Sequence, residues 1–267
     1  MKFVLLLAGL AILMAVAMAS AWSIARKPGR SGWTDVAWSY AVGAAGMIGA
    51  LEPTGGGSPF RRWLVAALIG AWSLRLGTHI LVRTLRGGDD PRYAELRRRW
   101  DKRFEFRLFW FLQIQAAAGL ALMPTLIIAA RNPAHFPSWS DVGGAVLLVL
   151  AVCGETLADR QLRTFSAHPD NRDKVNDRGL WGWSRHPNYF FEWLGWLAYA
   201  LIAIGPDASF APGWIAISGP LFIYWLLVDV SGIPSNEQHM LRSRGDRFRD
   251  YQRRVNAFVP GPPRHGR

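Results

Sequence analysis

The sequence predicts an all-α polytopic membrane protein, a bundle of about seven transmembrane helices with a cofactor-facing cytoplasmic side. Of its 267 residues, 51% are hydrophobic, and they include 14 Trp and 14 Phe. The apolar residues are concentrated in blocks, and about 20 apolar residues in a helix are enough to cross a bilayer core of about 30 Å. The basic residues are concentrated in alternate connections between those blocks. These two patterns together exclude a soluble globular protein.

Seven blocks are long enough to be treated as candidate spans. The first resembles a signal peptide, because Lys2 precedes it and Ala-Met-Ala-Ser-Ala ends it. Its apolar run is longer than the usual signal-peptide core of about 7 to 15 residues, so we predict that it is retained as a helix. The seven predicted segments run from approximately 3 to 24, 33 to 51, 63 to 82, 108 to 130, 139 to 158, 190 to 205 and 212 to 232.

The distribution of charge predicts the orientation. If the N-terminus is outside, the cytoplasmic loops and tail carry 26 of the 31 Lys and Arg residues and the opposite side carries four. The positive-inside rule therefore predicts that the N-terminus lies outside and the C-terminus in the cytoplasm. We expect the membrane to be a bacterial inner membrane. The net charge of +12 is then explained by anionic lipid headgroups and a phosphate-bearing cofactor, and we expect no nucleic-acid partner.

The cysteine count and the lack of repeats also limit the possible architectures. The single cysteine, Cys153, excludes an intrachain disulfide and a thiolate zinc site, and we predict no metal site. No internal repeat is evident, so residues 1–267 are predicted to form one integral membrane domain. Two cytoplasmic segments, 159–189 and 233–260, are predicted to bind a cofactor.

The segment 159–189 is long for a simple connector, and loops of this length are usually functional or disordered. Trp181, Trp183 and Tyr189 argue against disorder, because disordered segments contain few aromatic residues. The candidate binding residues of this segment are Asp159, Arg163, Asn171, Arg178, Arg185, His186 and Asn188.

Ionisable residues at membrane depth are costly unless they are paired or hydrated, so each is a functional candidate. Asp35, Glu52 and Glu155 are candidates for the catalytic acid, and Tyr40 is a possible proton donor. A structural ion pair is the competing interpretation for each carboxylate. Glu155 and Glu192 flank the segment 159–189, where they could frame a polar cavity.

Several motifs, taken together and in order, resemble those of a known superfamily. Ser184-Arg185-His186-Pro187-Asn188-Tyr189, followed by Glu192 and Trp193, is similar to the steroid 5-alpha-reductase C-terminal superfamily and, more narrowly, to the bacterial membrane proteins grouped as DUF1295. The other matching motifs are Asp35-Val-Ala-Trp38, Trp72-Ser-Leu-Arg75-Leu, Asp90-Pro-Arg-Tyr93, Asp159-Arg-Gln161 with Phe165, Asp177-Arg-Gly-Leu-Trp181, and Asn236-Glu237 through Tyr251 to Pro260.

The resemblance implies an enzyme that uses NADPH to reduce a carbon-carbon double bond of a lipid that enters from the bilayer. It implies that Asn188 and Tyr189 contact the cofactor, with Trp181 nearby. In the tail, the residues that the resemblance links to the cofactor are Asn236, Arg244 and Tyr251. The chain departs from the pattern at Asn236, where the sterol reductases have Asp, although Glu237 is adjacent. The Gln-Glu-Leu-Pro element of steroid 5-alpha reductases is also absent, with only Leu51-Glu52-Pro53 nearby.

The residues suit this chemistry. No Gly-x-Gly-x-x-Gly follows a predicted strand, so side chains rather than a Rossmann turn must hold the diphosphate. Guanidinium groups pair well with phosphate oxygens, His186 and Tyr189 can donate hydrogen bonds, and Trp181 can stack on a ring. The candidate phosphate ligands are Arg163, Arg178, Arg185 and Arg244.

Two other functions are compatible with the sequence. Isoprenylcysteine and phospholipid methyltransferases carry a related Arg-His-Pro-x-Tyr turn, so an S-adenosylmethionine-dependent membrane methyltransferase is the alternative enzyme. A non-catalytic lipid-binding or scaffold protein is the third possibility. It is supported by the absence of the Gln-Glu-Leu-Pro element, which supplies the catalytic carboxylate in steroid 5-alpha reductases. The abundance of arginine favours NADPH over a cofactor without phosphate.

Overall fold

The computed structural model describes residues 1–27, 30–86 and 91–264, and only the backbone of residues 91 and 92. Asp90 of the motif quoted above lies outside the described residues. The α-helices of the described part are α1 (Lys2–Ala25), α2 (Trp33–Leu51), α3 (Pro59–Leu85), α4 (Pro91–Trp100), α5 (Phe104–Ala121), α6 (Met123–Arg131), α7 (Trp139–Ala167), α8 (Pro187–Ile204), α9 (Ser218–Trp225), α10 (Ile233–Arg244) and α11 (Asp246–Arg254). No β-strand occurs within these residues.

The predicted all-α membrane bundle is confirmed. Helices predominate because backbone N–H and C=O groups in hydrocarbon must be paired within the chain. By length and composition, five helical stretches of the described residues could cross a membrane: Lys2–Ala25, Pro59–Leu85, Tyr93–Arg131, Trp139–Ala167 and Ala211–Arg244.

The number of seven spans stays a prediction. The two remaining predicted segments form α2 and α8, so both are helical as expected. They are not among the five stretches, and they contain polar side chains such as Asp35 in α2 and Glu192 in α8. The predicted orientation also stays a prediction.

The chain divides into two compact units, and each is described by itself. Unit 1 consists of Met1–Val142 and Tyr199–Ser218, and unit 2 consists of Gly143–Ala198 and Gly219–Arg267. Both units are discontinuous in sequence. The prediction of one domain over residues 1–267 therefore stays a prediction.

Within unit 1, α2 and α3 approach each other closely because small residues lie between them. A side chain at Gly43 would overlap Ser73, and one at Gly77 would overlap the ring of Tyr40. Small residues allow such close helix packing in membranes, where apolar side chains gain nothing by leaving lipid.

The buried Arg61 is the centre of a polar network at one end of unit 1. Its Nε and Nη2 donate to the two carboxylate oxygens of Asp141 at 2.7 and 2.8 Å. Its Nη1 donates to the carbonyls of Asn132 and Ala134 at 2.6 and 2.8 Å, and Nη2 also donates to that of His135 at 3.0 Å. All five donors are therefore satisfied, which a buried guanidinium requires.

In unit 2, the extended tail after α11 is part of the packed structure. Ser184 Oγ donates to the carbonyl of Phe258 at 2.7 Å, and Arg185 N donates to that of Asn256 at 2.8 Å. The ring of Phe258 packs against those of Trp193 and Tyr224, with centroids 5.7 and 5.3 Å away. The tail therefore holds the loop before α8 in place.

We expect Asp141→Ala to lower the free energy of unfolding by about 3 to 5 kcal/mol, because it leaves the buried Arg61 guanidinium without its counter-ion. Glu95→Ala is the matched control, since Glu95 pairs with Arg98 in an exposed ion pair and should cost under about 1 kcal/mol. Unfolding of the purified protein in detergent, followed by circular dichroism, measures both. Equal small losses in the two variants would contradict the structural role of Arg61.

Candidate functional site

The turn that precedes α8 is held in shape by its own side chains. Ser184 Oγ accepts a hydrogen bond from His186 N at 3.1 Å, and the carbonyl of His186 accepts one from Phe190 N at 3.1 Å. Pro187 then begins the helix, a position at which proline is favoured because its missing N–H has no helical partner. The turn presents Asn188 and Tyr189 on the first turn of α8.

Glu237, on α10, joins this turn to the tail of unit 2. Its carboxylate accepts from Arg185 Nε at 2.7 Å, from His186 Nε2 at 3.1 Å and from Gln252 Nε2 at 2.6 Å. Arg185 Nη1 also donates to the carbonyls of Gln252 and Val255 at 3.1 and 2.7 Å. One carboxylate thus connects the α8 turn, α10 and α11.

The electrostatics of Glu237 follow from these contacts. Glu237 lies beyond the last predicted apolar segment, 212–232. Burial raises the pKa of its carboxyl, but hydrogen bonds from His186 and Arg185 outweigh burial and lower the pKa from 4.5 to about 2. The carboxylate is therefore ionised at neutral pH and gives the network its negative charge.

Tyr251 and Trp181 lie in the interior of unit 2. Tyr251 Oη donates to the carbonyl of Trp181 at 2.6 Å, and Trp181 Nε1 donates to that of Ala158 at 3.0 Å. Burial raises the pKa of Tyr251, so its hydroxyl stays protonated. These contacts position α11 and the segment before α8 against α7, and the predicted cofactor contact of the two rings stays a prediction.

The face of α7 next to the turn carries two buried carboxylates one helical turn apart, Glu155 and Asp159, which are 6% and 8% exposed. Asn188 Nδ2 donates to Asp159 Oδ1 at 3.5 Å, whereas the buried Asn188 Oδ1 accepts no hydrogen bond from the described residues. Glu192 accepts from Trp196 Nε1 at 3.0 Å. The predicted residues Glu155, Asp159, Asn188 and Glu192 therefore belong to two facing helices of one unit.

Tyr189 and Asn236 also come together in unit 2. Asn236 Nδ2 donates to Tyr189 Oη, and the ring of Tyr189 stacks on that of His186 with centroids 5.4 Å apart. The residues that the resemblance links to the cofactor are thus close in space, although they are 47 positions apart in sequence.

A groove of about 690 Å³ lies along the end of α7, and we call it the basic groove. Arg160 and Arg163 are exposed and have no ion-pair partner within the part of the chain that the structure describes. The basic groove is lined by Arg160, Arg163, Thr164, Ala167, His168 and Pro169. Its two free guanidinium groups make it suitable for a phosphate-bearing ligand.

The remaining predicted residues of unit 2 have local roles or lie at the surface. Asn171 Nδ2 donates to the carbonyl of Phe165 at 2.9 Å and supports the turn after α7. Arg244 Nε donates weakly to the carbonyl of Lys174 at 3.4 Å, and Arg178 is exposed. Their predicted phosphate contacts stay predictions.

In unit 1, the buried Tyr93 of α4 is the centre of a second polar cluster. Its Oη accepts from Thr34 Oγ1 at 2.8 Å and from Gln115 Nε2 at 3.4 Å, and it donates to Asp35 Oδ1 at 3.4 Å. The sequence motif contains Tyr93, but no local pattern indicates that it meets Asp35, which is 58 positions away. Tyr93 is therefore the functional candidate that the sequence analysis missed.

The other two candidates of unit 1 have different surroundings. Tyr40 Oη shares a hydrogen bond of 3.2 Å with Thr78 Oγ1. Glu52 accepts from Thr54 N at 3.1 Å and pairs with Arg131 Nη2 at 2.7 Å. The hydrogen bond from the Thr54 side chain lowers the pKa of Glu52. This capping arrangement fits the structural interpretation of Glu52, and its catalytic role stays a prediction.

Comparisons with known proteins place these features in one family. The model of the family described as "Protein of unknown function (DUF1295)" matches residues 21–255. The chain is 28% identical over 227 residues to an uncharacterized protein of Schizosaccharomyces pombe, an alignment covering 75% of this chain and 63% of that protein. The chain thus spans less than two thirds of the length of that curated relative. No solved structure matches.

We expect the stability of the protein to fall as pH decreases from about 4.5 to about 2, because Glu237 loses its charge over this range. A lowered pKa contributes stability above the unfolded-state value, and this contribution is lost as pH falls through the folded-state value. The shift corresponds to a loss on the order of 3 kcal/mol. Glu237→Gln should lack this part of the pH dependence.

Unfolding free energies of the wild type and Glu237→Gln, measured at intervals across that pH range, provide the test. Asp246→Asn is the control, because Asp246 is exposed in its ion pair with Arg249 and should keep the wild-type slope. If Glu237→Gln has the same slope as the wild type, the proposed centre of the network is wrong.

Proposed function

The chain belongs to the DUF1295 family, and we propose that it is an NADPH-dependent oxidoreductase that reduces a carbon-carbon double bond of a membrane lipid. We also propose that it is a distant member of the steroid 5-alpha-reductase and sterol reductase superfamily. In this reaction a hydride passes from C4 of the nicotinamide to one alkene carbon, and a proton is added to the other. The products are the saturated lipid and NADP⁺.

The single observation that carries the proposal is the basic groove at the end of α7. Asp159, which contacts Asn188, immediately precedes Arg160 on α7, so the turn and the groove adjoin the same helix. Arg160 and Arg163 would bind phosphate oxygens through charge-assisted hydrogen bonds. Asn188 Oδ1, buried and without a donor among the described residues, could accept one from a carboxamide or ribose group.

Arg185 is given a different role from the one predicted from sequence. Its donors are directed to Glu237 and to backbone carbonyls of the tail. In our proposal, Arg185 fixes the turn that carries Asn188 and Tyr189, whereas the unpaired Arg160 and Arg163 bind phosphate. This division separates arginines that hold the fold from arginines that hold the cofactor.

Among the residues of unit 1, Tyr93 has the surroundings that best suit a proton donor. Tyr93 is buried, and its hydroxyl lies within hydrogen-bonding distance of the Asp35 carboxylate, which could return a proton after each turnover. A buried hydroxyl paired with a carboxylate is a recognised form of general acid. Within unit 1 we therefore favour Asp35 acting with Tyr93 over Tyr40 and Glu52, and Glu155 stays the candidate of unit 2.

The rest of the proposal concerns the membrane. We propose that the lipid substrate enters laterally from the bilayer and that the basic groove faces the cytoplasm, with the N-terminus outside. The one-sided distribution of Lys and Arg supports this orientation. In a bacterial cell the membrane concerned would be the inner membrane, where NADPH is available on the cytoplasmic side.

We expect Arg160→Gln with Arg163→Gln to weaken NADPH binding at least tenfold, because hydrogen bonds between charged groups contribute about 1.5 to 3 kcal/mol each. Asn188→Ala with Tyr189→Ala should abolish binding. Arg249→Gln, which removes an exposed arginine paired with Asp246, is the control and should bind normally. NADPH fluorescence of the purified protein in detergent measures all three. Tight binding of S-adenosylmethionine without an NADPH response would overturn the proposal and favour the methyltransferase.

We expect Tyr93→Phe to lower the rate of NADPH oxidation about 100-fold or more, with the affinity for NADPH unchanged, because the variant lacks the proton donor. The rate is measured by absorbance in the presence of a lipid extract. Tyr40→Phe is the matched control and should retain most activity. A large loss in Tyr40→Phe with none in Tyr93→Phe would contradict the assignment.

A further inference from the structure

Unit 2 has a second groove, of about 490 Å³, on another side of α7. We call it the apolar groove. It lies between α7, the loop before α8, the first turn of α8 and the tail. Its walls are formed chiefly by Leu157, Leu180, Trp183, Phe191 and Val259, with Gln161 as a polar lining residue. The groove plays no part in the proposed reaction.

The apolar groove is preformed rather than a gap between mobile segments. Gln161 Oε1 accepts from Leu180 N at 3.0 Å. Gly179 has a φ of 60°, which favours glycine, and a side chain there would also overlap the Gln161 amide. On the other wall, Gly261 N donates to the carbonyl of Trp183 at 3.0 Å. A fixed cavity with few polar groups is the usual form of a site for an apolar ligand.

The position of the groove identifies hydrocarbon as its occupant. Leu157 and Gln161 belong to the helix Trp139–Ala167, which is long and apolar enough to cross a membrane. Leu157, Trp183 and Val259 are 47%, 53% and 59% exposed although each lines the groove. An exposed apolar side chain of a membrane helix, such as Leu157, faces lipid chains, and Trp, such as Trp183 of the adjoining loop, is typical of the membrane interface.

The charges near the mouth of the groove indicate the headgroup. Arg178 precedes the lining residue Gly179, is exposed and has no ion-pair partner in the described ranges. Arg254 contacts Asp177 at 3.3 Å, and the carbonyl of Arg254 accepts from Arg264 N at 2.8 Å. Arg178 is thus adjacent to Gly179 in sequence, Arg254 contacts Asp177 two positions before Gly179, and no acidic residue lines the groove. This excess attracts an anionic headgroup.

We propose that the apolar groove binds one chain of an anionic phospholipid and that the headgroup phosphate lies against Arg178 and Arg254. The chain lies along Leu157 and Phe191 between α7 and the tail. This lipid is a bound component of the protein and not the substrate of the proposed reaction. The site uses neither the basic groove nor the Tyr93 cluster, and it assigns Arg178 to the lipid headgroup instead of the cofactor phosphate.

The test uses the full-length protein in nanodiscs that contain a trace of phosphatidylglycerol with a photoreactive diazirine in one acyl chain. Phosphatidylcholine with the same chain is the comparison probe. After irradiation, mass spectrometry of the digested protein should locate the crosslinks at Leu157, Phe191 and Val259. We expect phosphatidylglycerol to label these positions at least threefold more than phosphatidylcholine.

Two substitutions fill the groove and a third is the matched control. Leu157→Trp and Val259→Trp should each lower labelling of the groove at least fivefold. Val149→Trp should have no effect, because Val149 is a comparably exposed residue of α7 that does not line the groove. Using two groove variants, each checked for an unchanged melting temperature, keeps the test informative if one of them fails to fold.

The headgroup is tested separately. Arg178→Gln should bring the labelling ratio of the two lipids close to one, whereas Arg249→Gln, on the exposed face of α11, should leave it unchanged. Labelling that is as strong at Val149 as at Leu157 would show that lipid chains contact α7 without a specific site, and the proposal would be overturned. Equal labelling by the two lipids in the wild type would overturn the assignment of an anionic headgroup.

Discussion

The absence of hydrogen-bonding partners in hydrocarbon is the constraint on which this structure depends. It requires the backbone to satisfy its own polar groups, so the apolar blocks of the sequence form helices. It also restricts where charged side chains can lie. Arg61 is tolerated in the interior of unit 1 because Asp141 and three backbone carbonyls accept all of its donors. Charge is buried here only together with its partners.

The same rule applies to unit 2, where some arginines are bound within the fold and others have no ion-pair partner among the described residues. Arg185 is bound to Glu237 and to the tail, so it stabilises the turn before α8. Arg160 and Arg163, at the end of α7, have no ion-pair partner within the described residues and are available to a ligand. An arginine-rich segment therefore contains arginines that are bound within the fold and arginines that are available to a ligand, and only their partners distinguish them.

The two grooves of unit 2 differ in the kind of ligand that each could bind. Both adjoin α7, but one is lined by guanidinium groups and the other by apolar side chains. A soluble cofactor with phosphate groups suits the first, and a lipid chain suits the second. One helix could thus serve a water-soluble ligand at its end and a bilayer component along its side, which is consistent with an enzyme acting at the membrane surface.

The sequence by itself determined the helical membrane architecture, because block length and hydrophobicity are local properties that survive without knowledge of contacts. The order of its motifs also identified the family and the turn at Asn188 and Tyr189. Tertiary structure alone decided that Glu237 accepts from Arg185 and that Tyr93 meets Asp35, since these partners are 52 and 58 positions apart. Hydrogen bonds between distant residues depend on how the helices pack, and the hydrophobic pattern of the sequence does not specify that packing.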